Sequence, residues 1–408
     1  MGFAARLEYF DRYFFSCWMK LAIISHTEHY LDKDGSVVGW GPTVREINQI
    51  ATHFDKIYHI GCLHKGTPPS SSLGYIGENI EFVPLPPSGG DTFWAKLSVL
   101  RTMPTVIRAV SSVISKTDYF QLRLPTGMGN YLLPWLMFKK PKTMFWVKFA
   151  GNWAQKDPPV GYAFQRLFLN KNFLKCKVTI NGRWPGQPSH VLSFENPCLT
   201  EEERKEGDLV LKNKNYVGKL NFIFVGRVEE DKGVGRIINA FKEFMPSDRV
   251  GKIRIIGDGP ARKNYEQRAE EYGLDVSFMG FISRTELNEL FKESHVLLLP
   301  SSASEGFPKV IAEGANYGCI PVVSPVSSIP QYIRNNHNGY VMPSIDTGGL
   351  IVCLNRLVSI QAAELAQIAR RAYTLGQPFT YDYYFTRIVR EILGANKESL
   401  NAKKPNGE

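Results

Sequence analysis

The 408-residue chain is 43% hydrophobic, 12% aromatic and 22% charged, a composition that excludes a small scaffold or a largely disordered chain and suits two domains of about 200 residues each. Its formal charge of +10 sits in the first half: residues 1–198 hold 22 Lys and Arg against 13 Asp and Glu, which leaves 27 against 26 for residues 199–408. That imbalance fits solubility, an anionic membrane face or an acidic substrate, whereas basic residues scattered outside any recognised binding module argue against nucleic acid.

In chain order, Phe3, Leu7, Phe10, Phe14 and Trp18 recur at helical spacing with Arg6, Asp11 and Arg12 between them, an amphipathic pattern. Met19-Lys20 then opens onto an apolar strand, so residues 1–18 read as an extension, and the lack of a small-residue cleavage site argues against a signal peptide. Strands are expected at Lys20–His26, Lys56–Gly61, Ile80–Leu85, Tyr119–Leu124, Thr143–Phe149 and Lys177–Asn181. Val44, Ile47, Ala51 and Phe54 mark one intervening helix face, and Val106, Ile107, Val110, Val113 and Ile114 another. A charged segment from Asn196 to Lys219 reads as a loop. Strands then resume at Phe222–Gly226, Lys252–Gly257, Val276–Gly280, Val296–Pro300 and Ile320–Ser324. Strand–helix alternation of this kind predicts an α/β protein of two doubly wound, Rossmann-like domains facing across a cleft. The expected division is 1–198, 199–377, a crossover helix over 378–394 returning to the first domain through Tyr384, Phe385, Ile388, Val389 and Ile392, and a disordered polar tail over 395–408.

Cys17, Cys62, Cys176, Cys198, Cys319 and Cys353 lie far apart with no CxxC pair, which favours a reducing compartment and argues against structural zinc. No apolar run approaches the roughly 18 residues of a spanning helix. A cytoplasmic protein is expected, with peripheral contact at the cytoplasmic membrane face as the form any membrane association takes.

Two segments carry chemistry. Gly226-Arg227-Val228-Glu229-Glu230-Asp231-Lys232-Gly233 follows a strand and opens a helix, so a guanidinium, an ammonium and helix-start N–H groups converge where a diphosphate would fit; alone it also fits a surface turn. Ser304-Glu305-Gly306-Phe307-Pro308-Lys309-Val310-Ile311-Ala312-Glu313 follows an apolar strand, with Pro308 suited to a first helical turn. Its carboxylates, eight residues apart, suit separate hydroxyl-bearing parts of one ligand better than a paired acid and base. His26 and His29, in an expected loop, lack a third metal ligand. Asp32-Lys33-Asp34 reads as a solvated turn. Gly257-Asp258-Gly259 lacks the third glycine and downstream acid of a dinucleotide fingerprint.

Together these segments, with Ile256-Gly257-Asp258-Gly259-Pro260, Phe278-Met279-Gly280 and Gly318-Cys319-Ile320-Pro321-Val322-Val323, resemble the nucleotide-sugar-dependent glycosyltransferases of the GT-B fold, specifically retaining family 4. The likeness is concentrated over residues 220–345. It implies that Arg227 and Lys232 neutralise the donor's diphosphate, making a metal or other cofactor unnecessary. It also implies that Glu305 contacts the donor sugar near Gly306 and Phe307, that Glu313 binds the ribose, and that Gly226, Gly257 and Pro308 help form the donor site. Retention by a front-face route is the family's general proposal, with a glycan or lipid-linked acceptor in cell-surface polysaccharide assembly. The first half departs from the family pattern: Gly41, in Gly39-Trp40-Gly41-Pro42, stands near the usual glycine pair, and Arg123 and Lys148 stand where relatives place histidines. Alternatives are another reaction on the same fold, of epimerase or phosphorylase type, or a silent scaffold for a partner transferase; four retained residues, Arg227, Lys232, Glu305 and Glu313, weigh against the scaffold.

Overall fold

A computed structural model describes residues 19–90, 92–244 and 248–394. The expected extension over 1–18 and tail over 395–408 lie outside the described residues. The described chain divides into a first unit of residues 19–180, 185–194 and 385–394 and a second of residues 181–184 and 195–384.

The first unit runs β1 (Lys20–Leu31), β2 (Val37–Trp40), α1 (Gly41–Ala51), β3 (Lys56–Leu63), β4 (Ser72–Gly74), β5 (Ile80–Leu85), α2 (Phe93–Ile114), β6 (Tyr119–Leu124), α3 (Gly129–Lys139), β7 (Met144–Phe149), α4 (Val160–Asn170), β8 (Lys177–Ile180) and β9 (Val191–Ser193). Its parallel strands stand in the order β5-β3-β1-β6-β7-β8-β9, spreading outward on both sides of β1 as a doubly wound sheet does. The central strands are buried on both faces, which is why Leu21–Ile24 reads as a run rather than an alternation, while β6 buries Gln121 between Phe120 and Leu122. After a register shift between Ile24 and Glu28, β1 continues and pairs antiparallel with β2, which in turn pairs with β4. His26 and His29 therefore lie on a strand, not in the expected loop. Asp32-Lys33-Asp34 forms the exposed turn of that hairpin, closed by the Asp32 N–H donating to the Ser36 carbonyl at 2.9 Å.

The second unit opens with α5 (Glu201–Asn213), within the segment expected to be a loop. Its start is set by a capping box: the Thr200 hydroxyl accepts from the Glu203 N–H, and the Glu203 carboxylate accepts from the Thr200 N–H. Then follow β10 (Leu220–Val225), α6 (Val234–Phe244), β11 (Val250–Ile256), α7 (Arg262–Glu271), β12 (Val276–Gly280), α8 (Arg284–Glu293), β13 (Val296–Leu299), α9 (Lys309–Asn316), β14 (Ile320–Val323), α10 (Ile329–Tyr332), β15 (Tyr340–Val341), α11 (Thr347–Ser359), α12 (Ala362–Thr374) and α13 (Tyr381–Arg387). The all-parallel order is β12-β11-β10-β13-β14-β15, with its switch point between β10 and β13, where open α/β sheets place their ligands. Past α13 the chain makes a π-helical turn, Ile388–Ile392, and belongs to the first unit. There Phe385 stacks on His53 with ring centroids 3.8 Å apart, and the Arg387 guanidinium lies 3.9 Å over the Phe194 ring.

Among the described residues no single helix is long and apolar enough to cross a membrane. Cys62, Cys176, Cys198, Cys319 and Cys353 are buried free thiols.

Candidate active site

The switch point of the second sheet is built by three loops that hold one another in place. The loop after β10 is pinned first by Val228, fully buried in the core. The Gly226 N–H donates to Ile256 O (3.0 Å) and the Val228 N–H to Asp258 O (3.0 Å), so the loops after β10 and β11 run side by side. This approach leaves no room for a side chain: Gly257, at φ +123°, would place a Cβ 1.9 Å from the Gly226 carbonyl oxygen. The loop after β13 is tied in through the Ser302 N–H, 2.7 Å from Asp231 O. Gly233, at φ +87°, lets α6 start directly against the Pro300 carbonyl.

This framework brings Lys232 and Glu305, 73 positions apart in sequence, into direct contact between ammonium and carboxylate. Lys232 is mostly covered and Glu305 half-exposed. Arg227 projects further into solvent and pairs with Glu229 at 2.5 Å. Arg236, which sequence reasoning passed over, reaches Pro300 O at 3.0 Å and braces the same corner. Three cations are thus arranged at the C-terminal ends of β10 and β13.

Glu313 lies on α9 and is gripped by Arg284 of α8 at 2.7 Å; the same guanidinium also binds Glu203 at 3.1 Å. Burial works against the Arg284 charge, but the carboxylates of Glu313 and Glu203 outweigh it and hold its pKa above the ordinary value. Pro308 is the N-cap of α9. Gly306 is buried, its carbonyl accepting from the Ser328 hydroxyl at 3.0 Å. Phe307 is a core residue: its ring packs 4.7 Å from Tyr332 and 4.8 Å from Phe379, so only its backbone is available to a ligand.

In the first unit, Arg123 and Lys148, at the C-terminal ends of β6 and β7, both bind one carboxylate, Glu46 of α1, at 2.8 and 2.6 Å. All three side chains are nearly buried. Gly41 starts α1 with its N–H donating to Ser71 O at 3.1 Å, and a Cβ there would lie 2.5 Å from that oxygen. Its structural task is this close backbone approach. Nearby runs a buried polar chain: the Ser25 hydroxyl meets His59 Nε2 (2.7 Å), and the Tyr75 hydroxyl bridges His59 Nδ1 (2.5 Å) and His29 Nε2 (2.8 Å). Burial lowers the His29 pKa to about 4; His59 is held well below its ordinary value by burial first, then by His29 and Arg123. Among the described residues, no three His, Cys, Asp or Glu side chains gather in a way that would hold a metal ion.

Residues 209–374 match the model of the glycosyl transferases group 1, covering most of the second unit with both its charged loops. Among curated proteins, 161 residues are 30% identical to WcaL of Escherichia coli (strain K12), provisionally named a colanic acid biosynthesis glycosyltransferase, over 38% of this chain and 39% of that protein. A separate alignment, over 163 residues, is 24% identical to lipopolysaccharide 1,2-N-acetylglucosaminetransferase of Salmonella typhimurium and covers 38% of this chain and 42% of that protein. The matches thus span about two fifths of these relatives' length. Among solved structures, sucrose-phosphate synthase from Thermosynechococcus elongatus superposes with a TM-score of 0.66 at 16% identity, over 93% of this chain and 100% of that one. Anabaena HepE, in complex with UDP and glucose, gives 0.64 at 15% identity, over 93% and 100%. The chain has the GT-B fold. Its two parallel-sheet, Rossmann-like units are the architecture expected from strand–helix alternation.

Proposed function

We propose that this chain is a retaining glycosyltransferase of family 4 type, moving a sugar from a nucleoside-diphosphate sugar to a glycan or lipid-linked acceptor in polysaccharide assembly. The observation that carries this reading is the corner where Lys232 and Glu305 meet at the switch point of the second sheet, with Arg227 exposed on the same loop after β10, within the region that matches the glycosyl transferases group 1. WcaL and the lipopolysaccharide transferase bear names from surface-polysaccharide assembly, which supports that setting.

In the front-face route, the acceptor hydroxyl oxygen bonds to the anomeric carbon on the face from which the diphosphate departs. The acceptor proton passes to the departing phosphate oxygen as the carbon–oxygen bond to phosphate breaks. Negative charge builds on the diphosphate only as that bond lengthens, so fixed cations at Arg227 and Lys232 stabilise the transition state more than the bound donor. They supply charge that a divalent ion would otherwise bring, and no metal requirement is proposed. Glu305, beside Lys232, takes the sugar hydroxyls, and Glu313, oriented by Arg284, takes the ribose. Gly226 and Gly257 allow the phosphates to approach the backbone, and Gly41, Arg123 and Lys148 belong to the acceptor side. The protein works in the cytoplasm with peripheral contact at the membrane.

The test is thermal unfolding with UDP, GDP, ADP, CMP and their sugars in EDTA. A ligand that binds only the folded state stabilises by about 2.7 kcal/mol at a hundredfold excess over its dissociation constant. Stabilisation by one nucleoside diphosphate without metal, followed by sugar transfer from its conjugate, is the expected result; stabilisation that needs a divalent ion overturns the metal-independent reading.

A further inference from the structure

Residues 119–194 contain 11 Lys and Arg and a single acid, Asp157. Arg123 and Lys148 are bound to Glu46, and Arg166 donates to the carbonyls of Trp153 and Gln155 at 2.7 and 2.8 Å. Six of the seven remaining lysines gather elsewhere. Lys139 ends α3 and Lys140 and Lys142 follow it, and Lys171, Lys175 and Lys177 follow α4; all six are exposed. Because β7 pairs with β8 in the register Trp146↔Lys177, the start of β7 at Met144 lies beside the Lys175–Lys177 segment. Both lysine groups therefore share the end of the sheet where β7 and β8 begin.

The outer face of α4 is apolar where a solvated helix would be polar. Val160 (87% exposed), Phe164 (38%) and Leu167 (58%) follow one another at the spacing of a single helix face, which Lys171 continues. Phe173 (52% exposed) extends this stripe beyond the helix: its ring lies 5.0 Å from that of Phe168, which in turn lies 5.7 Å from Phe164. The turn presenting Phe173 is fixed by left-handed Asn172 and Lys175, with the Lys175 N–H donating to Asn172 O at 3.0 Å. Gln165, Phe168 and Leu169 face inward. Single exposed apolar residues are ordinary; a continuous stripe that runs into exposed lysines at its far end is not.

We propose that this face of α4, with the lysines around the ends of α3 and α4, docks on the surface of an anionic lipid bilayer. Apolar side chains on one face and cations beside them are what an interfacial helix requires. Lysine stems lie along apolar surface while their ammonium groups reach the headgroups, whereas protein–protein interfaces are depleted of lysine. The inference rests on the membrane-peripheral part of the proposed function but not on its chemistry, so failure of vesicle binding leaves nucleotide stabilisation untouched.

The experiment is flotation of the full chain with vesicles of phosphatidylcholine alone or with roughly 30 mol% phosphatidylglycerol. Binding is expected only to the anionic vesicles, and it is expected to collapse as the Debye length shrinks from about 10 Å at 0.1 M salt to about 3 Å at 1 M. Each lysine near the surface contributes about fivefold, so Lys171→Gln with Lys175→Gln should weaken partitioning roughly thirtyfold. Phe164→Ser with Leu167→Ser should weaken it about tenfold or more. Unchanged thermal unfolding of both variants checks the fold, and single substitutions replace either pair if it does not hold. Equal binding to neutral vesicles, or anionic binding that neither variant alters, overturns the proposal. So does a dimer in sedimentation that the Phe164→Ser, Leu167→Ser variant converts to monomer, which assigns the face to a second copy.

Discussion

Lys232→Ala separates a phosphate-binding role from a structural one, because the two predict effects of very different size. The Lys232 side chain is 14% exposed and that of its partner Glu305 47% exposed, so the pair is substantially screened by water. Pairs of this kind contribute below about 1 kcal/mol to stability, and in units of this size that moves the melting temperature by only about 2–4 °C. Loss of a charge-assisted hydrogen bond to a diphosphate costs about 1.5–3 kcal/mol of binding, roughly ten- to 150-fold in dissociation constant. Loss of a fixed charge aimed at the departing group costs about a hundred- to a thousandfold in turnover. Nucleotide-induced thermal shift and sugar transfer from the stabilising donor read the two quantities separately. Glu305→Gln supplies a control of opposite sign: with the competing carboxylate neutral, Lys232 is freer for phosphate, so the free nucleoside diphosphate binds as well or better while transfer falls. A Lys232→Ala protein that keeps wild-type nucleotide stabilisation and turnover refutes the assignment.

Gly257→Ala has no room to be accommodated, since its Cβ would fall 1.9 Å from the Gly226 carbonyl oxygen at φ +123°; a loss of about 2 kcal/mol or more in denaturant unfolding is expected, together with loss of nucleotide stabilisation. Acid should destabilise the first unit through its buried imidazoles. His29 keeps a folded pKa of about 4 against an ordinary 6.5, so the unfolded chain binds the extra proton in that window. The stability is fully present above about pH 6.5 and is lost as pH falls toward 4, by about 2 kcal/mol at pH 5. Urea midpoints between pH 7 and 5 measure the slope, which His29→Gln should flatten.

The strands were the most legible part of the chain because parallel strands buried on both faces are written as short unbroken apolar runs, as in Val296–Leu299, all four residues of which are buried. Ile80–Leu85, Tyr119–Leu124 and Val276–Gly280 form with the expected bounds. Two- to four-residue strands such as β2, β4 and β15 are too short to show a period. Helix α5 was hidden by its polarity: Glu201–Asn213 buries only Arg204, Gly207 and Leu211, which leaves no apolar stripe. The readable signal was Thr200 three residues before Glu203, the spacing of a capping box. In the candidate site, the charged loops were visible because their residue types and spacing are local. The partners were not. Glu46 meets Lys148 across 102 positions, and Arg284 meets Glu313 from a neighbouring helix; nothing in a linear pattern distinguishes such residues from solvated helix charges.

Glu46 shows why that distinction matters. It is 2% exposed on α1, and through it two cations are accommodated where β6 and β7 end. Burying Lys148 and Arg123 would be prohibitive without a carboxylate between them. Removing Glu46 exposes the desolvation cost that the pairing offsets. Glu46→Gln should therefore destabilise by about 3–5 kcal/mol, the range for breaking a buried pair from one side. Removing the buried ammonium as well should recover part of that loss, so Glu46→Gln combined with Lys148→Met should be more stable than Glu46→Gln alone. Denaturant unfolding of the two single variants and the double variant closes the cycle. Independent, additive losses would mean that Lys148 and Glu46 contribute through packing rather than charge, and Lys148 would then have no electrostatic reason to occupy the end of β7.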